Sequence, residues 1–310
     1  MEKRTFLMAL LVCVAMLGAE AQNKNMYKAD TIVDGKGNVI VNVYSTQTVV
    51  DGNGNIITRD YDVAAFDEIS IILPATVNYT VADDYSCRVT LDENLFECLD
   101  IQVKYDCLNL KHDKRYDNIN LKPTEFVIEI TAPTVEEIKL VGSGDFVFVT
   151  PLEAEKLKVS TAGSGDVVFE ETVKVQDLDM SIAGSGDAVF KETAAIHDFA
   201  MSIAGSGKLK CKQLIADHSH LSVAGSGDME IESGMIKSAK VSVAGSGSIE
   251  TRCQIESMDY SIAGSGSIYY YGDVKVKGTN WNGRIKRIDE ENEKPKGRCC
   301  EGKHKKTKTK

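Results

Sequence analysis

Seven copies of Gly-Ser-Gly punctuate the chain: Gly142 to Gly144, Gly163 to Gly165, Gly184 to Gly186, Gly205 to Gly207, Gly225 to Gly227, Gly245 to Gly247 and Gly264 to Gly266. The first glycines stand 21, 21, 21, 20, 20 and 19 residues apart. So constant a period belongs to stacked structural repeats and leaves little room for one irregular core. A sharp bend or a close backbone approach at a fixed phase explains the glycine, which takes positive φ and crowding that a Cβ forbids. Alanine before most copies and serine inside all of them keep that corner small.

Outward from the corner the pattern has period two, the mark of half-buried strands. Before the glycines, apolar sets such as Leu178/Met180/Ile182 and Phe199/Met201/Ile203 alternate with polar residues, Ser181 and Ser202 among them. After them, the fourth and sixth residues from the first glycine point inward, as in Phe146/Phe148, Val167/Phe169 and Leu209/Cys211. A third apolar site follows at Leu152, Val173, Ala194, Leu214, Met235, Ile255 and Val274. Three inward segments per repeat describe a coil with three sides. An antiparallel meander has the same segments, but only stacked coils require like residues at like phase in every repeat. Roughly six inward apolar side chains at about 1.5–3 kcal/mol each do not offset the ordering entropy of one coil, whereas a stack of coils does. The expected fold is all-β: a right-handed parallel β-helix (solenoid) of about seven 19–21-residue coils over residues 141–283, preceded by an irregular β cap.

Residues 1–21 read as a signal peptide: Lys3 and Arg4, an apolar run from Phe6 to Leu17, and Ala19-Glu20-Ala21 as a signal peptidase I type cleavage site before Gln22. The run is too short to span a bilayer. Cys13 is a poor lipoprotein site, because Val12 precedes it and cleavage there would halve the run. An exported chain is expected, in the periplasm, on the outer-membrane surface or outside, with no transmembrane segment after the leader. A net charge of −10 argues against nucleic acid as a partner. Of 8 cysteines, one lies in the leader, and the odd number left cannot all pair within the chain. Cys87 and Cys211 fall on inward phases and read as small core residues, and a Cys98–Cys107 bridge is open.

Residues 22–62 form an N-terminal hairpin segment with two similar turns, Asp34 to Asn38 and Asp51 to Asn55. Asp51, Asn53 and Asn55 imitate the start of a calcium loop, but Ile56 stands where such a loop needs glycine and Asp62 where it needs glutamate, so tight β-turns account for both. Residues 63–140 alternate without the glycine repeat and read as a β-rich cap or opening coils that blunt the edge of the stack. Residues 284–310 read as a charged, disordered tail whose Cys299-Cys300 pair could link two chains.

The stretch from Asp51 to Val63 leading into Phe66-Asp67-Glu68-Ile69, then Asp92-Glu93-Asn94-Leu95 and the Ser-x-Ala-Gly-Ser-Gly-Asp corners, resembles the putative auto-transporter adhesin, head GIN domain family from about Gly52 to about Ser267. The resemblance implies an exported, β-helix-like protein of a Gram-negative cell envelope, labelled adhesin and bringing no catalytic residues.

Asp145, Asp166, Asp187 and Asp228 each follow a Gly-Ser-Gly and form the candidate ligand or cation face. On coils about 4.8 Å apart such carboxylates repel unless they accept backbone N–H bonds or are bridged by cations. Bonding within each turn, as in Asx-turns, is the first expectation and a calcium ladder the second; no other cofactor or metal is implied. His218 and His220 flank Ser219 and share an outward face without a third zinc ligand. Tyr269, Tyr270, Tyr271 and Trp281 gather near the end of the stack, with Tyr270 inward, as a cap of the terminal coil or a platform for sugar rings. So regular a row lacks the asymmetry of a catalytic site, and no Ser/His/Asp set, Walker loop or dinucleotide fingerprint occurs. The expected role is non-catalytic display of a rigid face to a glycan or protein partner. A carbohydrate-active enzyme on the same scaffold and a self-associating scaffold are the alternatives.

Overall fold

Gly142 lies in register with Gly163, Gly163 with Gly184, and so on through Gly205, Gly225 and Gly245 to Gly264, every pair on parallel strands. The backbone therefore winds, and the expectation of a β-helix is borne out as a parallel β-solenoid of about 7 turns. The computed structural model describes residues 27–33, 39–45, 48–116 and 119–288, with the backbone alone before Val49. The stretch read as a signal peptide at 1–21, residues 34–38 of the expected first turn and the cysteines Cys299 and Cys300 lie outside the described residues. Two compact units divide the rest. One takes in the described residues up to Ile57 with Thr90–Asp100 and His112–Glu125, the other Thr58–Val89, Ile101–Lys111 and the described residues from Phe126 on.

The larger unit is the solenoid. One face of each coil is a strand that ends at the first glycine, as in Leu152–Gly163, Val173–Gly184 and Gly234–Gly245. The next face begins just past the corner, as in Asp145–Phe148, Val167–Phe169 and Asp228–Ile231. Mid-stack, Ala188–Gly205 and Lys208–Gly225 run through all three faces. Period-two alternation sends one set of side chains into the interior, where parallel register lays like upon like. The Phe148, Phe169 and Phe190 rings stack at centroid separations of 4.4 Å, tilted by 7° and 3°. Cys211, 1 % exposed, takes the next place in that column, and burial pushes its thiol up to about 12. Cys87 is buried likewise, and Cys98 and Cys107 are free thiols, so no bridge joins them.

Two local expectations are corrected, and the opening coils add an order that was not foreseen. Met235 is 52 % exposed, because Gly234 takes the place above Leu214 and Ile236 turns inward in its stead. The opening coils follow an order the alternation does not reveal. The coil of Glu68–Ile71 and Thr76–Val81 lies between that of Glu137–Gly142 and Asp145–Phe148 and that of Cys107–Leu110 and Phe126–Ala132, so the chain passes over one coil before the regular stack begins. Its Ile69, Ile71, Val77 and Tyr79 are fully buried. The stack also continues past Gly283: Arg284–Ile288, assigned to the tail from its charge, pairs in parallel with Ser267–Tyr271. This last coil turns at Asn282, whose φ of 65° needs no glycine, and the Asn280 side chain closes the corner by bonding both the N–H and the C=O of Gly283 at 2.9 and 3.1 Å.

In the smaller unit Tyr27–Val33 and Val39–Ser45 form an antiparallel hairpin, and Thr48–Asp51 pairs in parallel with Ile119–Lys122. Its centre is Asp92, fully buried, which accepts bonds from Gly54 N–H at 2.7 Å, Thr124 N–H at 2.6 Å and the Thr124 hydroxyl at 3.0 Å. Burial alone raises that carboxyl, but the three donors outweigh it and hold it below the usual carboxylate range. The loop that imitates a calcium site is thus a turn clasped by a carboxylate from elsewhere in the chain. Asn55 bonds Asn53 within the loop at 3.0 Å and Glu93 outside it at 2.7 Å.

Candidate ligand-binding surface

At every corner the first glycine has positive φ, between 107° and 141°. A Cβ on Gly163 would run into the carbonyl of Gly142, and one on Gly165 into the carbonyl of Gly144. The coils can approach this closely only without side chains, and closeness lets Ser164, Ser185 and Ser206 donate their N–H to the glycine carbonyl one coil back at 2.8–2.9 Å.

The aspartates that follow extend this stitching. Asp145 accepts the N–H of Asp166 at 3.0 Å, Asp166 that of Asp187 at 2.7 Å, and Asp187 that of Lys208 at 2.8 Å. Lys208 has no carboxylate to offer, and the N–H of Asp228 turns to the Gly207 carbonyl instead. Asp228 resumes the pattern by accepting both the N–H and the hydroxyl of Ser248. Turn-local bonding is therefore corrected to bonding between coils, since one strand separation matches the reach of the short Asp side chain. Interrupted at Lys208, the four aspartates each hold one amide of the next coil. No three His, Cys, Asp or Glu side chains gather as metal ligands among the described residues.

A different feature offers room for a ligand. Two rows of outward side chains run along the solenoid with a groove of about 440 Å³ between them, over the buried Leu178, Phe199 and Ser219. One wall carries Lys156, Asp177, Asp198, His218 and Ser238, successive register partners. The other carries Asp179, Ala200, His220 and Lys240, and the small Ala200 opens a notch opposite Asp198. His218 and His220 share the outward face read from the sequence and stand on the two sides of the groove, flanking the buried Ser219. Sequence reasoning missed the aspartates. The signal was available, because Lys156, Asp177, Asp198, His218 and Ser238 all stand seven residues before a first glycine.

The electrostatics of the groove differ from those around it. Elsewhere the stack pairs several opposite charges from coil to coil, Glu137–Lys158 at 2.9 Å, Glu170–Lys191 at 2.7 Å, Glu192–Lys212 at 2.8 Å and Asp217–Lys237 at 2.7 Å, although Glu230 lies beside Glu250. The Lys237 ammonium holds the Asp217 carboxyl below the usual range. In the groove Asp177 lies directly beside Asp198, like charge on like, an unfavourable cross-strand pair. Neither the Asp177 nor the Asp179 carboxylate has a hydrogen bond or ion pair among the described residues, and that of Asp198 meets only His197, at 2.9 Å. The Ser219 hydroxyl is buried without a partner among the described residues.

The aromatic group near the end divides. Trp281 is 77 % exposed. Tyr269, Tyr270 and Tyr271 are all half-buried, because the strand Arg284–Ile288 lies over them and makes theirs the penultimate coil.

Known proteins share this architecture. A putative lipid binding protein from Parabacteroides distasonis has a crystal structure that superposes with a TM-score of 0.73 at 29 % identity, over 78 % of this chain and 100 % of that one. Structures of putative adhesins from Parabacteroides merdae and Parabacteroides distasonis superpose with TM-scores of 0.70 and 0.69 at 22 % and 24 % identity, over 78 % and 77 % of this chain and all of each of theirs. No curated protein matches the sequence. Residues 65–254, more than half of the chain, match one protein family, and the protein belongs to that family, described as putative auto-transporter adhesin, head GIN domain.

Proposed function

We propose that this chain is a non-catalytic, exported envelope protein that engages a glycan or protein partner through the outer surface of its solenoid. The observation that carries the reading is the groove. Its walls present the Asp177 and Asp179 carboxylates without side-chain partners among the described residues, two imidazoles and a serine, on a stack where Glu137, Glu170, Glu192 and Asp217 each meet a lysine of the next coil. A rigid repeat surface of this kind holds polar groups in fixed array, so a ligand meets them without an ordering cost in the protein. Membership of an adhesin-labelled family and the leader-like start agree with an envelope role. No described helix is long and apolar enough to cross a membrane. Arrays of glycans and envelope proteins probed with the purified chain test the reading: retention of at least one ligand class is expected, with no product released from polysaccharide substrates. An array without ligands overturns display, and product release overturns the non-catalytic role.

A further inference from the structure

We infer that the groove between the Asp177–Asp198 and Asp179–His220 walls binds a polysaccharide bearing free amino groups, laid along the solenoid axis. The inference rests on the reading of the outer surface as a binding face and names the ligand's chemistry.

Three observations converge on a cationic, hydroxyl-rich chain. Asp177 and Asp198 are adjacent in register, and no lysine or arginine reaches either carboxylate among the described residues, Asp198 meeting only the His197 ring, in a stack where Lys191, Lys212 and Lys237 each reach a carboxylate one coil away. Lys156 and Lys240 line the same groove and make no ion pair with its aspartates among the described residues. Like charges held together cost stability, and a bound cation removes that cost. An ammonium donating to a carboxylate makes the strong, charge-assisted kind of hydrogen bond. Beyond the aspartates the walls change character, to His218 and Ser238 on one side and His220 on the other, groups that both donate to and accept from hydroxyls.

The spacing favours sugar over peptide. Coils recur at the strand separation of about 4.8 Å, close to the length of one ring in an extended β-linked polysaccharide, so successive rings meet successive coils. The first ring lies between Asp177 and Asp179, the second between Asp198 and the Ala200 notch, and the third between His218 and His220. Side chains on one face of an extended peptide recur at about 6.6 Å, twice the strand rise, and fall out of step with the coils.

Calorimetry on the purified full chain with a glucosamine hexamer and its fully N-acetylated counterpart tests this. The free amine form is expected to bind at least about tenfold more tightly. Asp177→Asn/Asp198→Asn is expected to lose about tenfold, while Glu171→Gln/Glu230→Gln, with the same change in charge outside the groove, stays within about twofold. The groove variant should melt no lower than the parent, since it removes a repulsion. Equal affinity for the two hexamers overturns the inference, as does equal loss in the two variants. A lysine hexapeptide that binds as tightly, and loses as much in the groove variant, also overturns it in favour of a cationic protein segment. Should the arrays return other ligands while the amino hexamer gives no heat, the inference falls and display stands.

Discussion

At the scale of single residues, two kinds of aspartate do opposite things with the same chemistry. Asp166 spends one oxygen on the N–H of Asp187 in the next coil. Asp166→Ala is expected to cost about 1 kcal/mol, the usual net worth of such a bond, and Asp166→Asn much less, because its amide oxygen still accepts. The same geometry predicts that a chelator leaves the melting midpoint where it was; a midpoint that rises with added calcium sinks the staple account and restores the cation ladder. Asp92 is held below the ordinary carboxylate range despite burial, by the Thr124 and Gly54 donors. A carboxyl whose folded pKa is depressed stabilises fully above its unfolded value of about 3.9, and that contribution is lost as pH falls through the folded value. Protection of the Gly54 and Thr124 amides against hydrogen exchange should therefore decline on acidification below about pH 4, and Asp92→Asn should lower protection at neutral pH and flatten the acid dependence. Gly52 belongs to the same clasp, since a Cβ there would collide with the Asp92 carboxylate. The sequence shows Asp92 only as a charged break between two apolar stretches. Nothing local says that it reaches a loop 38 residues away.

At the scale of strands and coils, what repeats could be read and what occurs once could not. Alternation around each Gly-Ser-Gly identified strands, inward residues and the stacking of Phe148, Phe169 and Phe190, because every coil restates the same pattern. The exceptions are single events. The opening coils are strands like the others, and their spatial order depends on which edge each coil meets, a long-range choice that period two does not encode. Met235 and Ile236 are both apolar, and only the place taken by Gly234 decides which turns inward. The final corner lacks the tripeptide because Asn282 supplies the left-handed backbone. There Asn282→Val is expected to fray the coil, at a cost of about 1–3 kcal/mol from forcing a β-branched residue to positive φ, whereas Asn282→Gly should be close to neutral. Hydrogen exchange over residues 275–288 reads the difference directly. Unchanged protection in the valine variant would mean that the Asn280 bonds alone hold this coil.

At the scale of the solenoid, stability accumulates by nearest neighbours, because each coil pairs chiefly with the coil on either side. Removing one full repeat should then shorten the stack without breaking it, provided the cut respects the phase. Deletion of residues 164–184 joins Gly163 to Ser185, brings Phe190 over Phe148 and offers the Asp145 carboxylate to the N–H of Asp187. Glycine again meets glycine at the corner, so the same contacts re-form one coil lower. Removing ten residues instead shifts the corner by half a coil, so the glycines no longer meet glycines and side chains fall where the backbones approach too closely for a Cβ. The expected outcome is a chain with unchanged β-sheet circular dichroism and one cooperative melt at a lower midpoint for the phased deletion, and loss of both for the half-repeat. The phased deletion also removes Asp177 and Asp179 while keeping Asp198, His218 and His220, so it separates the scaffold from the groove. A shortened chain that folds but no longer binds the amino hexamer places recognition in particular coils; one that binds undiminished places it in the repeat itself.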